Sequence, residues 1–250
     1  MKKKIFIDPG HGGTTIGAAY KGRKEQDDCL RLSKAVRDIL LTQDNVDVML
    51  SREDDVDVDL AERARMANAW GAGYFCSIHR NAFLPNKAKG VEAWVYTKCA
   101  VGGSTYTMAE RLVKSLAETV GFEDRKVKLG APDYDDYAVN RLTQMSSCLL
   151  EVGFIDSDDD NAIFDAFFAD IALSIAKSLM ANVGLEYEAP VVLGDVDGDG
   201  KITAADARLI LRAAVGLEML DAAMADLDGD GKISAADARE ALRIATGQEV

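Results

Sequence analysis

The 250 residues contain only two histidines, His11 and His79, and each sits in a short polar segment that follows an apolar run. The first lies in Ile5-Phe6-Ile7-Asp8-Pro9-Gly10-His11-Gly12-Gly13, the second in Tyr74-Phe75-Cys76-Ser77-Ile78-His79-Arg80-Asn81-Ala82. Imidazoles that meet at the carboxyl edge of a parallel sheet can grip one metal ion. A lone histidine beside a strand is more often a hydrogen-bonded core residue, so the pair needs carboxylates to acquire a chemistry. Glu25 opens the first expected helix in Lys24-Glu25-Gln26-Asp27-Asp28-Cys29-Leu30, where interaction with the helix dipole is its plainer role. Glu151 ends a strand apolar enough to be buried, Leu149-Leu150-Glu151-Val152, and an unpaired carboxylate there is costly without a partner or a task. Two histidines and a carboxylate with an open fourth position form the pattern of hydrolytic zinc, and a second carboxylate supplies the general base. Gly10, Gly12 and Gly13 let backbone approach a ligand closely.

These residues need a scaffold that brings strand ends together. Residues 4–7, 46–50, 74–78, 90–96 and 148–152 read as strands, and 27–41, 60–70, 105–120 and 163–180 carry helical periodicity. Such alternation predicts an α/β fold, a mostly parallel twisted sheet flanked by helices on both faces. The character changes near Glu186-Tyr187-Glu188-Ala189-Pro190, giving a catalytic domain over 1–188, a short linker over 189–192 and a module over 193–250.

The module is a duplication. Asp195-Val196-Asp197-Gly198-Asp199-Gly200-Lys201 and its continuation to Arg208 recur, with conservative changes, from Asp226 to Arg239. Each copy places carboxylates at loop positions 1, 3, 5 and 12 and a glycine at position 6, the oxygen-rich arrangement Ca²⁺ requires. The expected ligands are Asp195, Asp197, Asp199, Asp206 and the Lys201 carbonyl in one loop. In the other they are Asp226, Asp228, Asp230, Asp237 and the Lys232 carbonyl, with Thr203 and Ser234 as further candidates. Acidic turns that only cap helices are the alternative, but four carboxylates in twelve residues repel strongly without a cation.

A net charge of −13 excludes nucleic acid as the main partner, because clustered Lys and Arg are missing. No apolar run approaches the roughly 20 residues of a membrane span. Met1-Lys2-Lys3-Lys4 leads straight into the His11 strand, so these residues are not expected to be a signal peptide. Cys29, Cys76, Cys99 and Cys148 lack paired spacing and are expected to be buried thiols.

With Asp closing each loop and only an exiting helix, residues 193–250 depart from an EF-hand pair and resemble a dockerin domain. This implies a small all-α, calcium-dependent fold that docks onto a cohesin module of a scaffoldin or surface protein. Ala204-Ala205 and Ala235-Ala236 occupy the loop positions that help choose the cohesin, and alanine pairs leave the partner type open. The segments around His11, Glu25, Ser51-Arg52, Leu60-Ala61-Glu62-Arg63, Ala67-Asn68, His79, Gly90-Val91-Glu92 and Glu151 occur in an order that resembles the zinc-dependent type 3 N-acetylmuramoyl-L-alanine amidases over residues 3–183. The resemblance implies that His11, Glu25 and His79 bind Zn²⁺, with Asp27 and Asp28 as competitors for the third place, and that Glu151 is the catalytic base. Arg80 and Asn81 become candidates for substrate binding. Arg80, where many family members have Ala, could instead be an ion-pair partner, and Arg there is similar to some phage lysins. The implied substrate is peptidoglycan, cut between N-acetylmuramic acid and L-alanine. A zinc carboxypeptidase or other peptidase, or a catalytically idle wall- or scaffold-binding protein, are the alternatives. Wall substrate and cohesin point to an extracellular or wall-associated location, reached by lysis as phage-type endolysins do or after loss of a leader.

Overall fold

The structure is a computed structural model that describes residues 2–131, 137–190 and 192–247. The expected domain, linker and module also include residues outside these ranges. Two compact units are present, Met1–Glu188 and Ala189–Val250.

The first unit is a six-stranded sheet built from β1 (Lys3–Pro9), β4 (Val46–Leu50), β5 (Tyr74–Asn81), β6 (Val91–Val95), β7 (Asp124–Leu129) and β8 (Ser146–Phe154). The strand order is β4-β1-β5-β8-β6-β7. All neighbours are parallel except β6 and β8, which run antiparallel. A small hairpin, β2 (Ala19–Tyr20) with β3 (Arg23–Lys24), precedes α1 (Glu25–Leu40).

Successive side chains of a strand point to opposite faces, and each face here has its own helices. Ile5, Ile7, Tyr74, Cys76, Ile78, Cys148, Leu150 and Val152 pack in one core with Leu32 and Val36 of α1, Leu112 and Leu116 of α3 (Ser104–Val120), and Ile175 and Leu179 of α6 (Phe168–Asn182). Phe6 and Phe75, stacked with centroids 5.4 Å apart, form the other core with Ala67 of α2 (Leu60–Trp70) and Val139 of α4 (Ala138–Leu142). The expected doubly covered, mostly parallel sheet is therefore observed.

Several local expectations change. The single helix expected over 163–180 is two, α5 (Asp158–Ala166) and α6, parted at Phe167, whose ψ of 28° departs from helix. Ser157 caps α5 by accepting from the Asp160 N–H. The strand Asp124–Leu129 escapes an apolar reading because it is an edge, where charged side chains discourage further pairing. Cys29, Cys76 and Cys148 are buried free thiols as expected, but Cys99 is only half-buried.

The second unit contains α7 (Ala204–Ala214), the short α8 (Ala222–Ala225) and α9 (Ala235–Ala245). Thr203 and Ser234 each complete a capping box with Asp206 and Asp237. Their hydroxyls serve the helix starts by accepting from the Ala205 and Ala236 N–H groups. The core is small: Ala207, Ile210, Ala225, Ala238 and Ala241, flanked by Val196, Ile202, Leu220, Leu227 and Ile233.

Leu112 is fully buried where α3 meets the sheet. Leu112→Ala should destabilise the first unit by about 2–5 kcal/mol. Denaturant titration followed by tryptophan fluorescence reads this directly, since both tryptophans, Trp70 and Trp94, belong to that unit.

Candidate metal centre and active site

The carboxyl edge of the sheet collects the chemistry. His79 lies in β5 opposite Glu151 of β8, and Glu92 of β6 lies opposite Glu151 on its other side. His11 follows β1, and Glu25 is the first residue of α1, carried over the edge by the β2–β3 hairpin. The donor atoms of His11, Glu25 and His79 lie within 4.8 Å of one another. Glu25 Oε1 stands 3.0 Å from His11 Nε2 and 2.9 Å from His79 Nδ1. Its two oxygens also accept backbone N–H groups, Oε1 from Arg80 at 3.2 Å and Oε2 from Ala18 at 2.8 Å. Burial alone would raise the Glu25 pKa, but its bonds to both imidazoles outweigh that and hold the carboxyl well below its usual range.

Asp27 and Asp28 do not join this group. Asp27 is exposed, whereas Asp28 pairs with Arg23 at 3.1 Å and Arg80 at 2.8 Å.

Arg80 points away from the cleft. Adjacent strand residues alternate faces, so His79 on the cleft side sends Arg80 beneath α1 and α5. Its side chain is 1% exposed and bonds Asp28 and Asn161, with its guanidinium 4.1 Å from the centre of the Phe164 ring. This replaces the substrate-binding expectation with an internal ion pair. Asn81 returns to the cleft side, where its Nδ2 donates to Glu92 at 3.0 Å. Glu92 also accepts from Trp94, Arg125 and Lys128. Burial pushes its pKa up, yet the Lys128 and Arg125 bonds prevail and lower it. Gly90-Val91-Glu92 was recognisable as a motif, but nothing in its sequence revealed this anchoring of Asn81.

Glu151 differs from both acids. Among the described residues its buried Oε2 has no hydrogen-bond partner. Burial, reinforced by Glu25 and Glu92, drives its pKa well above normal despite Arg80 and Lys128. It lines a cleft of about 740 Å³ with His11, Glu25, His79 and Asn81, bounded elsewhere by Val58, Leu60 and Tyr137.

Two histidines and one carboxylate suit Zn²⁺ by donor chemistry, and the backbone leaves space for them. A Cβ on Gly10 would lie 2.4 Å from the His79 ring, and one on Gly17 would lie 2.5 Å from Glu25 Oε2. In the second unit, Asp195, Asp197 and Asp199 cluster, as do Asp226, Asp228 and Asp237. Asp206 accepts from the Val196, Asp197 and Thr203 N–H groups and thereby closes its loop, as Asp237 does in the other.

The fold and this cluster define an α/β protein of hydrolase type, with a candidate metal triad and a separate free carboxylate at one sheet edge. Residues 5–181 match the N-acetylmuramoyl-L-alanine amidase family, and residues 193–240 match the dockerin type I domain. The chain is 38% identical over 189 residues to the N-acetylmuramoyl-L-alanine amidase CwlM of Bacillus licheniformis, covering 74% of this chain and 71% of that one. It is 36% identical over 191 residues to the endolysin of Bacillus phage SPP1, with 74% and 68% covered. The crystal structure of an N-acetylmuramoyl-L-alanine amidase from Clostridium difficile 630 superposes with a TM-score of 0.67 at 29% identity, covering 73% of this chain and 97% of that one. The chain belongs to the N-acetylmuramoyl-L-alanine amidase family and carries a dockerin domain. Membership favours the N-acetylmuramoyl-L-alanine amidase reading over the carboxypeptidase and idle-binding alternatives.

Gly10→Ala should displace the His79 ring while leaving the fold intact. Circular dichroism should be unchanged and bound zinc, measured by atomic emission, should fall at least tenfold. Zinc content equal to that of the unsubstituted protein would mean the ring has room the geometry does not show.

Proposed function

We propose that the chain is a zinc-dependent peptidoglycan amidase in which His11, Glu25 and His79 hold the metal and Glu151 is the general base. The observation that carries this reading is the convergence of the three donors beside a buried carboxylate whose Oε2 is unpartnered, in a chain of the amidase family. The substrate is the amide joining the lactyl group of N-acetylmuramic acid to L-alanine. Zinc held by the triad supplies a Lewis acid for the scissile carbonyl and brings the pKa of water down to about 7.

The chain's own residues manage the protons. Glu151 accepts a proton from the water whose oxygen bonds to the carbonyl carbon. As the C–N bond breaks, it returns that proton to the departing L-alanine nitrogen, leaving a free amine and a lactyl carboxylic acid that releases its remaining proton to solvent as the carboxylate. The high pKa of Glu151 suits it to hold the proton between these steps. Glu25, by contrast, stays ionised and serves as ligand. Asn81, held by Glu92, orients the substrate from the cleft wall.

The dockerin module over 193–250 supplies attachment to a cohesin. Two Ca²⁺ ions are assigned to the loops, one with Asp195, Asp197, Asp199, Asp206 and the Lys201 carbonyl. The other takes Asp226, Asp228, Asp230, Asp237 and the Lys232 carbonyl. Wall substrate and cohesin together place the protein outside the cell or on its wall, and among the described residues no helix is long and apolar enough to cross a membrane.

Glu151→Gln should retain one equivalent of zinc and lose at least 10²-fold in release of L-alanine amino termini from purified wall. Undiminished release would remove Glu151 from the mechanism. Calcium chelation should abolish the far-ultraviolet helix signal of α7 and α9 while leaving Trp70 and Trp94 fluorescence unchanged. An unaltered circular dichroism spectrum would contradict the calcium assignment.

A further inference from the structure

Two buried arginines stand behind the triad, and they touch the backbone of His11 and of residues flanking the triad rather than the triad's side chains. Arg52 Nη2 donates to the Gly10 carbonyl at 2.7 Å and to the Gln26 carbonyl at 2.9 Å. One guanidinium nitrogen thus joins the residue before His11 to the residue after Glu25. Its Nε adds the Pro9 carbonyl at 3.1 Å, and its Nη1 the Asp54 carbonyl at 3.1 Å. Every hydrogen bond that Arg52 makes among the described residues goes to a backbone carbonyl, an unusual use for a buried cation.

Arg63 completes the connection to β5, which carries His79. Its Nη2 donates to the His11 carbonyl at 2.8 Å, and its Nη1 to the Pro9 carbonyl and Asp8 Oδ1, both at 2.7 Å. Asp8 Oδ2 in turn accepts from Ser77 Oγ at 2.6 Å, two residues before His79 in β5. His11 itself adopts a left-handed φ of 57°, a conformation that a residue with a Cβ keeps only when its surroundings hold it there.

We propose that Arg52 and Arg63 are positioning residues that fix the His11–Glu25–His79 triangle and thereby set its affinity for zinc, Arg52 linking His11 to Glu25 and the Arg63–Asp8–Ser77 relay linking His11 to His79. This rests on the metal-site reading above. A planar fork reaching three or four carbonyls has no equivalent in lysine, whose ammonium is a single point of donation. Arg52→Lys and Arg63→Lys keep the charge and remove that geometry.

The test is titration of the full chain with Zn²⁺ against a chromophoric chelator, with excess Ca²⁺ present for the acidic loops and thermal unfolding of each metal-free variant followed in parallel. Each lysine variant should bind zinc 10- to 100-fold more weakly at temperatures where it remains folded. Lower thermal stability with zinc affinity equal to the unsubstituted protein would overturn the proposal, since it would show fold support alone. Should a lysine variant fail to fold, Ser77→Ala removes one bond of the relay without changing charge. Several-fold weaker zinc binding supports the proposal, and unchanged binding overturns it. His79→Ala separates the underlying reading: if it binds zinc as the unsubstituted chain does, the metal site itself is wrong and the proposal falls with it.

Discussion

The pleat of three adjacent parallel strands, β1, β5 and β8, governs the arrangement of the first unit. Its alternation sends Ile5, Ile7, Cys76, Ile78, Leu150 and Val152 into one apolar core and leaves Phe6, Asp8, Phe75, Ser77, His79 and Glu151 for the other side. The register pairs Asp8 with Ser77 and His79 with Glu151. Slipping any strand by one residue would drive a polar group into the α1, α3 and α6 layer and turn an apolar one toward the cleft. The core thus specifies the register, and the register delivers the reactive groups to one edge.

Within that edge, chemically identical carboxyls acquire different tasks from different surroundings. Glu25 is buried but faces two imidazoles and two backbone N–H groups, so the anion is favoured. Glu92 is buried among four side-chain donors from Asn81, Trp94, Arg125 and Lys128 and likewise stays ionised. Glu151 lies between these two anions, and its Oε2 has no donor among the described residues, so proton uptake is favoured there. Separating the affinities of neighbouring carboxyls for protons is what lets one hold charge while another moves a proton.

The second unit applies electrostatics to folding rather than to reaction. Its core consists of one isoleucine and four alanines with a few flanking apolar chains, little burial for a domain of this size. Asp195 accepts N–H groups from Gly198, Asp199 and Gly200, and Asp226 repeats the pattern with Gly229, Asp230 and Gly231. The backbone thus winds each loop around its first carboxylate. Asp197 keeps a favourable bond from the Asp199 N–H, yet desolvation and the neighbouring acids raise its pKa, which marks the loop as short of positive charge.

Much of this was legible in the primary structure because it is written in local pattern: strand and helix periodicity, the position of two histidines after apolar runs, and a repeated spacing of aspartates. Those patterns determined the fold class, the two kinds of unit and the residues with reactive groups. Which acid stands beside the histidines was not local information, since Glu25, Asp27 and Asp28 share one helical turn and differ in the direction their side chains leave it. Alternation along β5 would have sent Arg80 to the face opposite His79, but its partners Asp28 and Asn161 come from distant segments. The roles of Arg52 and Arg63 were still less accessible, because a buried guanidinium is defined by the carbonyls it meets, and those belong to other strands and loops. The sequence by itself determined which chemical groups the protein owns and the periodicity that sorts them. Only the tertiary structure decided which groups meet, because distances between side chains from separate elements depend on strand register and helix placement, which no single segment encodes.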